Sequence, residues 1–284
     1  MPKPVVITTD SSADIPVYIR EEFGIHYRPL YITIEDKHGL DSVDVFPADI
    51  YNAFQARGSL PKTAAASFEE YKEFFGQFTA QGAAVVHLSI GSAFSASFQS
   101  ATIAAQEMEG EIYVVDSKQF CTGQGILAVR AAQYRGEGLE AAAIAERITA
   151  DRTKVKALYY LHGLEFVAKS GRCPSVVAMG ASLLNLHPGM IVANGEIVIG
   201  KKYRGKNAPA NWLQDSCAKF MESCDPSLCF FMQTNDIPPE QYEALRRQAR
   251  EMLPGVGRIV MDDVGCVIIS HVGGNCYALI GMEK

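Results

Sequence analysis

The sequence predicts a two-domain α/β protein. An N-terminal α/β domain built on a parallel sheet is expected over residues 1–154. A C-terminal α+β domain with a mainly antiparallel sheet is expected over 155–284. Three observations carry this. A chain of 284 residues suits about two domains. Its first half alternates short β-rich runs with helix-period segments long enough for parallel crossovers. Its second half crowds strands together and contains Asn194-Gly195, a two-residue hairpin signal because both positions tolerate positive φ.

In chain order, Val5–Thr8 reads as a strand, and Asp10-Ser11-Ser12 as the cap of a helix from Ile15 to Phe23. Arg28–Ile34 is strand-like and Ala48–Ala56 helical. Ser67 with Glu70 three residues on has capping-box spacing and opens a helix to Thr79. Ala83–Leu88 is a strand, followed by a helix to Met108 and the strand Ile112–Val115. Helices are expected over Gly125–Tyr134 and Leu139–Thr149.

After Arg152 the pattern changes. Val155–Leu161 is strand-like, Glu165–Lys169 a short helix and Ser175–Leu186 another. Met190–Ala193 and Glu196–Ile199 form the hairpin around Asn194-Gly195. Helices over Pro209–Ser223 and Pro239–Leu253 alternate with strands at Leu228–Gln233, Arg258–Met261, Val267–Ser270 and Tyr277–Met282. The last three lie close enough in sequence to be antiparallel.

Composition narrows the function. Hydrophobic residues at 48% and charged residues at 20% are ordinary for a globular chain. A net charge of −6 argues against a nucleic-acid surface, which shows a basic footprint. No apolar run reaches the roughly 18 residues of a membrane span. The start, Met-Pro-Lys-Pro-Val-Val-Ile-Thr-Thr-Asp, turns polar too soon for a signal peptide. Seven scattered cysteines without a Cys-x-x-Cys pair suit free thiols, so a cytoplasmic location is expected, with no metal and no cofactor. Cys121 is the one thiol near a candidate site.

One theme recurs at Thr8–Ser12, over 88–101 and at Val115-Asp116-Ser117-Lys118 leading to Gly123-Gln124-Gly125: an apolar strand ends in Asp or Ser, and small polar residues open a helix. In a parallel sheet such turns lie beyond the carboxyl ends of the strands, where ligands bind. Helix N-termini there suit an anion. Each hydroxyl equally suits a helix cap. The nucleophile-elbow order, the phosphate loop, the zinc-protease motif and the dinucleotide fingerprint are all missing. Binding is favoured over catalysis.

The ordered motifs Thr9-Asp10-Ser11-Ser12-Ala13-Asp14-Ile15, Pro61-Lys62-Thr63, Ile90–Ala101, Val115-Asp116-Ser117-Lys118, Ser170-Gly171-Arg172 and Ser270-His271-Val272-Gly273-Gly274 resemble those of the DegV family over nearly the whole chain. The resemblance implies a two-domain α/β protein that holds a long-chain fatty acid. Members acting as FakB subunits present it to a separate fatty acid kinase, which makes an acyl phosphate. By the same resemblance, Thr63, Ser95 and His271 bind the carboxylate, with the Ala96 backbone N–H as a further donor. His271 is expected to come from the second domain and close the site across the cleft, and its ring can carry a proton. Arg172 and Arg204 match arginines tied to phosphorylation or kinase docking. The chain departs from the family pattern at Ala64-Ala65-Ala66, where Ser-Gln-Pro is usual, and at Ala96-Ser97, where Gly-Thr is usual.

Physical chemistry agrees with a lipid carrier. A tail of about 16 carbons gains on the order of 10 kcal/mol on burial, before entropy is subtracted. Its carboxylate then needs donors, because an uncompensated buried charge is costly. Neutral hydroxyls tolerate a carboxylate and an acyl phosphate alike. No stable membrane insertion is expected, although transient contact with a membrane stays open. Two alternatives also stay open: a serine esterase or thioesterase using Ser95 and His271, and a sensor of a small anion.

Overall fold

The computed structural model describes residues 3–173, 176, 187–234 and 236–284. Its first half runs β1 (Val5–Asp10), α1 (Val17–Phe23), β2 (Ile25–Arg28), β3 (Tyr31–Ile34), β4 (Lys37–Leu40), α2 (Pro47–Arg57) and β5 (Lys62–Ala64). There follow α3 (Phe68–Thr79), β6 (Ala84–Ser89), α4 (Ser97–Glu107), β7 (Ile112–Asp116), α5 (Thr122–Gly136) and α6 (Ala141–Asp151). The second half has β8 (Val155–Tyr160), α7 (Glu165–Ser170), β9 (His187–Ala193), β10 (Glu196–Tyr203), α8 (Ala208–Ser223) and β11 (Cys229–Gln233). It ends with α9 (Pro239–Met252), β12 (Ile259–Asp263), α10 (Cys266–Val272) and β13 (Tyr277–Met282). The expected helix Ser175–Leu186 lies outside the described residues, apart from Val176.

A parallel sheet in the order β2-β1-β6-β7 forms the first half. β6, Ala-Val-Val-His-Leu-Ser, is buried at every position, as a parallel strand covered on both faces must be. On one face Tyr71, Phe75, Val85, Ala101 and Ala104 pack together. A mixed sheet in the order β10-β9-β8-β13-β11-β12 forms the second half. Every pairing in it is antiparallel except β11 with β12. The fold is therefore α/β with a parallel N-terminal and a mostly antiparallel C-terminal sheet. Helix α5 is buried from Thr122 to Val129 and packs on strands of both sheets. Gly125 permits this, since a Cβ there would meet the Ala13 carbonyl oxygen at 2.6 Å.

The Asn194-Gly195 turn forms as expected, with φ of 55° and 81°. The capping box does too: Glu70 N donates to Ser67 Oγ at 3.3 Å, and Ser67 N donates to Glu70 Oε2 at 2.9 Å.

Four expectations are corrected. Asp10 makes no side-chain cap; a 3-10 turn over Ser11–Ala13 follows it, and α1 begins only after Pro16. The single strand Arg28–Ile34 is two, β2 in the parallel sheet and β3 in a small one. Pro29 between them has no N–H to continue a ladder, and Leu30 N donates to Ser11 Oγ at 3.1 Å. The small antiparallel sheet β4-β3-β5 had no visible signal, because Lys-His-Gly-Leu and Lys-Thr-Ala are too short and polar to read as strands.

Val267–Ser270, expected as a strand, belongs to α10. Its residues are buried on all sides, so periodicity could not separate helix from strand. Ser270 Oγ donates to the Cys266 carbonyl at 2.7 Å, a helical i to i−4 contact. Of the three closing strands expected to be antiparallel, β12 runs parallel to β11 and β13 antiparallel to it.

Candidate functional site

The turn from β6 into α4 is shaped by Asp10 at the end of β1. Ile90 N donates to Asp10 Oδ2 at 3.0 Å, Ser89 Oγ donates to the same atom at 3.2 Å, and the Tyr71 hydroxyl donates to Oδ1. Asp10 is fully buried. Burial by itself raises its pKa, but His87 beside it, the Tyr71 hydroxyl and the Ile90 N–H outweigh that and hold the carboxyl below its ordinary range. At the end of β7, Asp116 accepts from Ser92 N at 3.1 Å, Ser92 Oγ at 2.7 Å and Lys118 N at 2.9 Å. Two carboxylates thus fix the first residues of the loop Ile90–Ala96, at Ile90 and Ser92.

The three hydroxyl clusters divide by role. In the first, Thr9 Oγ1 donates to the Leu88 carbonyl at 2.7 Å, and Ser12 Oγ donates to Gln124 Oε1 at 3.0 Å. In the third, Ser117 Oγ donates to the Gln119 carbonyl at 3.1 Å. Both are spent on the scaffold. The second delivers Ser95 and Ala96 to a cavity at the N-terminal end of α4.

That cavity has a volume of about 200 Å³ and is lined from both halves of the chain. Leu30, Ile90, Phe94 and Phe120 come from the first half, and Tyr159, Leu161, Met190 and Ile268 from the second. Its polar residues include Thr63, Ser95, Ser170, Arg172 and His271. Phe120 and Tyr159 stack with ring centroids 4.8 Å apart. Both rings also border a second apolar pocket of about 20 Å³, so the two spaces share a wall.

Thr63 sits in the middle of β5, and its Oγ1 lies 2.9 Å from Nε2 of His271 in the last turn of α10. His271 Nδ1 is buried with no hydrogen-bond partner. Burial, and after it the Arg172 cation, lowers the His271 pKa to about 4. The environment of His271, expected to carry a proton, thus favours the neutral imidazole. Gly273 ends α10 with φ 78°, and a Cβ there would meet the Phe166 ring at 2.8 Å. This explains a glycine directly beyond the histidine turn.

Ser95 Oγ lies 2.9 Å from Ser97 Oγ and accepts from Ser97 N at 3.2 Å. Arg172 is exposed beyond α7, lines the cavity and donates from one guanidinium nitrogen to the Ser170 carbonyl at 2.6 Å. Arg204 is exposed just after β10 and does not line the cavity. In the basic run beside it, Lys201 pairs with Asp215 at 2.6 Å. All seven cysteines are buried, and burial pushes the Cys121 thiol well above its usual range. Among the described residues, no group of three or more His, Cys, Asp or Glu side chains is arranged to hold a metal ion. No helix among them is long and apolar enough to cross a membrane.

The apolar cavity walls were not singled out from the sequence, because Phe120, Tyr159 and Met190 look like any core residues. Asp41 carried no sequence signal of a role near the site, and Asp14 only its place in the Thr9–Ile15 motif.

A family model described as "Uncharacterised protein, DegV family" matches residues 4–284. A DegV domain-containing protein of Clostridium perfringens is 28% identical over 279 residues, spanning 95% of this chain and 94% of that protein. A DegV family protein of Thermus thermophilus, described for its fatty acid binding, superposes with a TM-score of 0.88 at 25% identity, covering 99% of this chain and 100% of its own. A stearic acid-binding protein of Eubacterium ventriosum gives a TM-score of 0.85 at 23% identity, covering 100% of this chain and 99% of its own, a likeness of fold.

Proposed function

The chain belongs to the DegV family, and from that premise we propose that it binds a long-chain fatty acid and presents it to a separate fatty acid kinase for acyl-phosphate formation. The tail lies along the apolar walls. The carboxylate accepts from the Thr63 and Ser95 hydroxyls, from the Ala96 backbone N–H at the start of α4, and from the neutral His271 ring. The halves on either side of Lys154 act as the two domains whose cleft is the binding site. The protein works in the cytoplasm as a carrier and performs no chemistry itself.

One observation carries the reading: an apolar cavity of about 200 Å³ whose few polar residues include Thr63, Ser95 and His271. Fatty acid binding by the Thermus thermophilus relative supports it. Tail burial supplies most of the affinity, at ~0.8 kcal/mol per methylene. The hydroxyls keep the acidic end from being buried unpaired, which would cost several kcal/mol.

The hydrolase alternative fits less well. A serine nucleophile needs a histidine base, and that base needs an orienting partner on its other nitrogen. Here Ser95 turns to Ser97, His271 turns to Thr63, and His271 Nδ1 has no partner. A small-anion sensor would need polar side chains throughout its pocket, whereas these walls are mainly aromatic and aliphatic.

Denaturing mass spectrometry of an organic extract of the freshly purified protein tests the proposal. One fatty acid per chain is expected. An extract free of fatty acid, from a protein that also takes none up from solution, defeats it.

A further inference from the structure

Helix α10 belongs by sequence to the second half of the chain, yet it packs against α2, β3 and β5 of the first. Seven residues are too few to be helical alone in water, so its ends must be held from outside. Its N-cap is Gly265, which has no side chain to bond the first free N–H groups. Two distant carboxyls take that place. Gly265 N donates to Asp14 Oδ1 at 2.8 Å, and Cys266 N donates to Asp41 Oδ1 at 2.9 Å. Both aspartates are buried, at 8% and 1% exposure. The fit is close: a Cβ on Gly265 would stand 3.1 Å from Asp14 Oδ1 and 3.3 Å from Asp41 Oδ2.

The other end of α10 carries His271, about 8 Å along the axis from Cys266 at 1.5 Å per residue. There it meets Thr63 of β5. Asp41 directly follows β4, and β4 and β5 flank β3 in the small sheet. Both ends of α10 are therefore fastened to one three-stranded unit. We infer that Asp14 and Asp41 are positioning residues of the head-group site: they clamp the start of α10 so that its last turn sets His271 against Thr63.

The environment of Asp14 favours its protonated form. Burial above all, with the carboxylates of Asp41 and Asp262 adding to it, pushes its pKa up to about 8 against the pull of the Gly265 N–H and the Cys121 thiol. Its Oδ1 serves the helix. An asparagine reproduces that acceptor. A leucine does not.

The inference rests on the fatty-acid reading of the cavity, so its test reads the helix and the ligand separately. In Asp14→Leu and Asp41→Ala, the NMR titration of His271 in the ligand-free protein should move upward toward the ordinary imidazole value. Fatty-acid affinity should fall by roughly threefold to thirtyfold, the usual loss for one side-chain cap. Asp14→Asn and Asp41→Asn should leave both as in the parent. Folded deletion variants with unmoved His271 titration overturn the inference. If a deletion variant does not fold, Gly265→Ala crowds both carboxyls and should shift the titration the same way by less; no shift there overturns it as well. A moved titration together with parental fatty-acid affinity upholds the clamp and defeats the head-group reading instead.

Discussion

The Thr63 hydroxyl and Nε2 of His271 lie 2.9 Å apart across 208 positions of sequence. One group comes from a three-residue strand and the other from a seven-residue helix, and both face the same apolar cavity.

Removing either side of this pair should weaken ligand binding without emptying the cavity. Thr63→Val, Ser95→Ala and His271→Ala each delete one donor to a buried carboxylate, worth about 1–3 kcal/mol. Titration with a fluorescent fatty acid should show losses of roughly fivefold to a hundredfold. Parental affinity in both Ser95→Ala and His271→Ala would remove the head group from this position.

Stability should depend on pH through His271. Its folded pKa of about 4 lies below the ordinary 6.5 because burial, and then Arg172, disfavours the charged ring. Between those values the unfolded chain takes up a proton that the folded chain refuses. The contribution is complete above pH 6.5 and is lost as pH falls through 4, by at most about 3 kcal/mol. Thermal melts of the ligand-free protein should therefore fall less steeply over pH 6.5–4 in His271→Ala than in the parent. Equal slopes would show that the ring is not held neutral.

The tail wall can be tested apart from the head group. Ile268→Trp places a larger side chain in the cavity, where overpacking costs about 1–3 kcal/mol. Bound fatty acid per chain, measured by mass spectrometry, should drop while all head-group residues remain. Full occupancy with an unchanged chain-length profile would put the tail elsewhere.

The two arginines should separate binding from transfer. Arg172→Ala and Arg204→Ala should retain fatty-acid affinity within a few-fold and slow acyl-phosphate formation when a DegV-partner fatty acid kinase is supplied with ATP. Arg172→Ala should also raise the His271 pKa, since that cation helps depress it. Lost lipid binding with unaltered transfer per bound lipid would reverse the assignment.

Gly273→Ala tests the turn after the histidine. The new Cβ meets the Phe166 ring at 2.8 Å in backbone with φ 78°, a strain of about 1–3 kcal/mol. Denaturant melts should report that loss, together with weaker fatty-acid binding as α10 shifts.

Much of this protein could be read from its residues alone. The crossovers around β1, β6 and β7 follow from apolar runs separated by helix-period segments, and the hairpin at Asn194-Gly195 from two residues that accept positive φ. The stretch holding Ser95 stood out because small hydroxyl-bearing residues follow an apolar run, whereas Thr63, Arg172 and His271 were marked by the ordered motifs that resemble the DegV family. These are local signals, each written in a few adjacent residues. What only the tertiary structure decided is where such signals meet. Cys266–Ser270 gave no period from which to tell helix from strand, because partners bury all five residues. Thr8, Ser12 and Ser117 turned inward to the scaffold while Ser95 faced the cavity, since a hydroxyl's role depends on which groups surround it. The clamp of Asp14 and Asp41 on α10 joins residues more than two hundred positions apart, and no local pattern encodes such a contact.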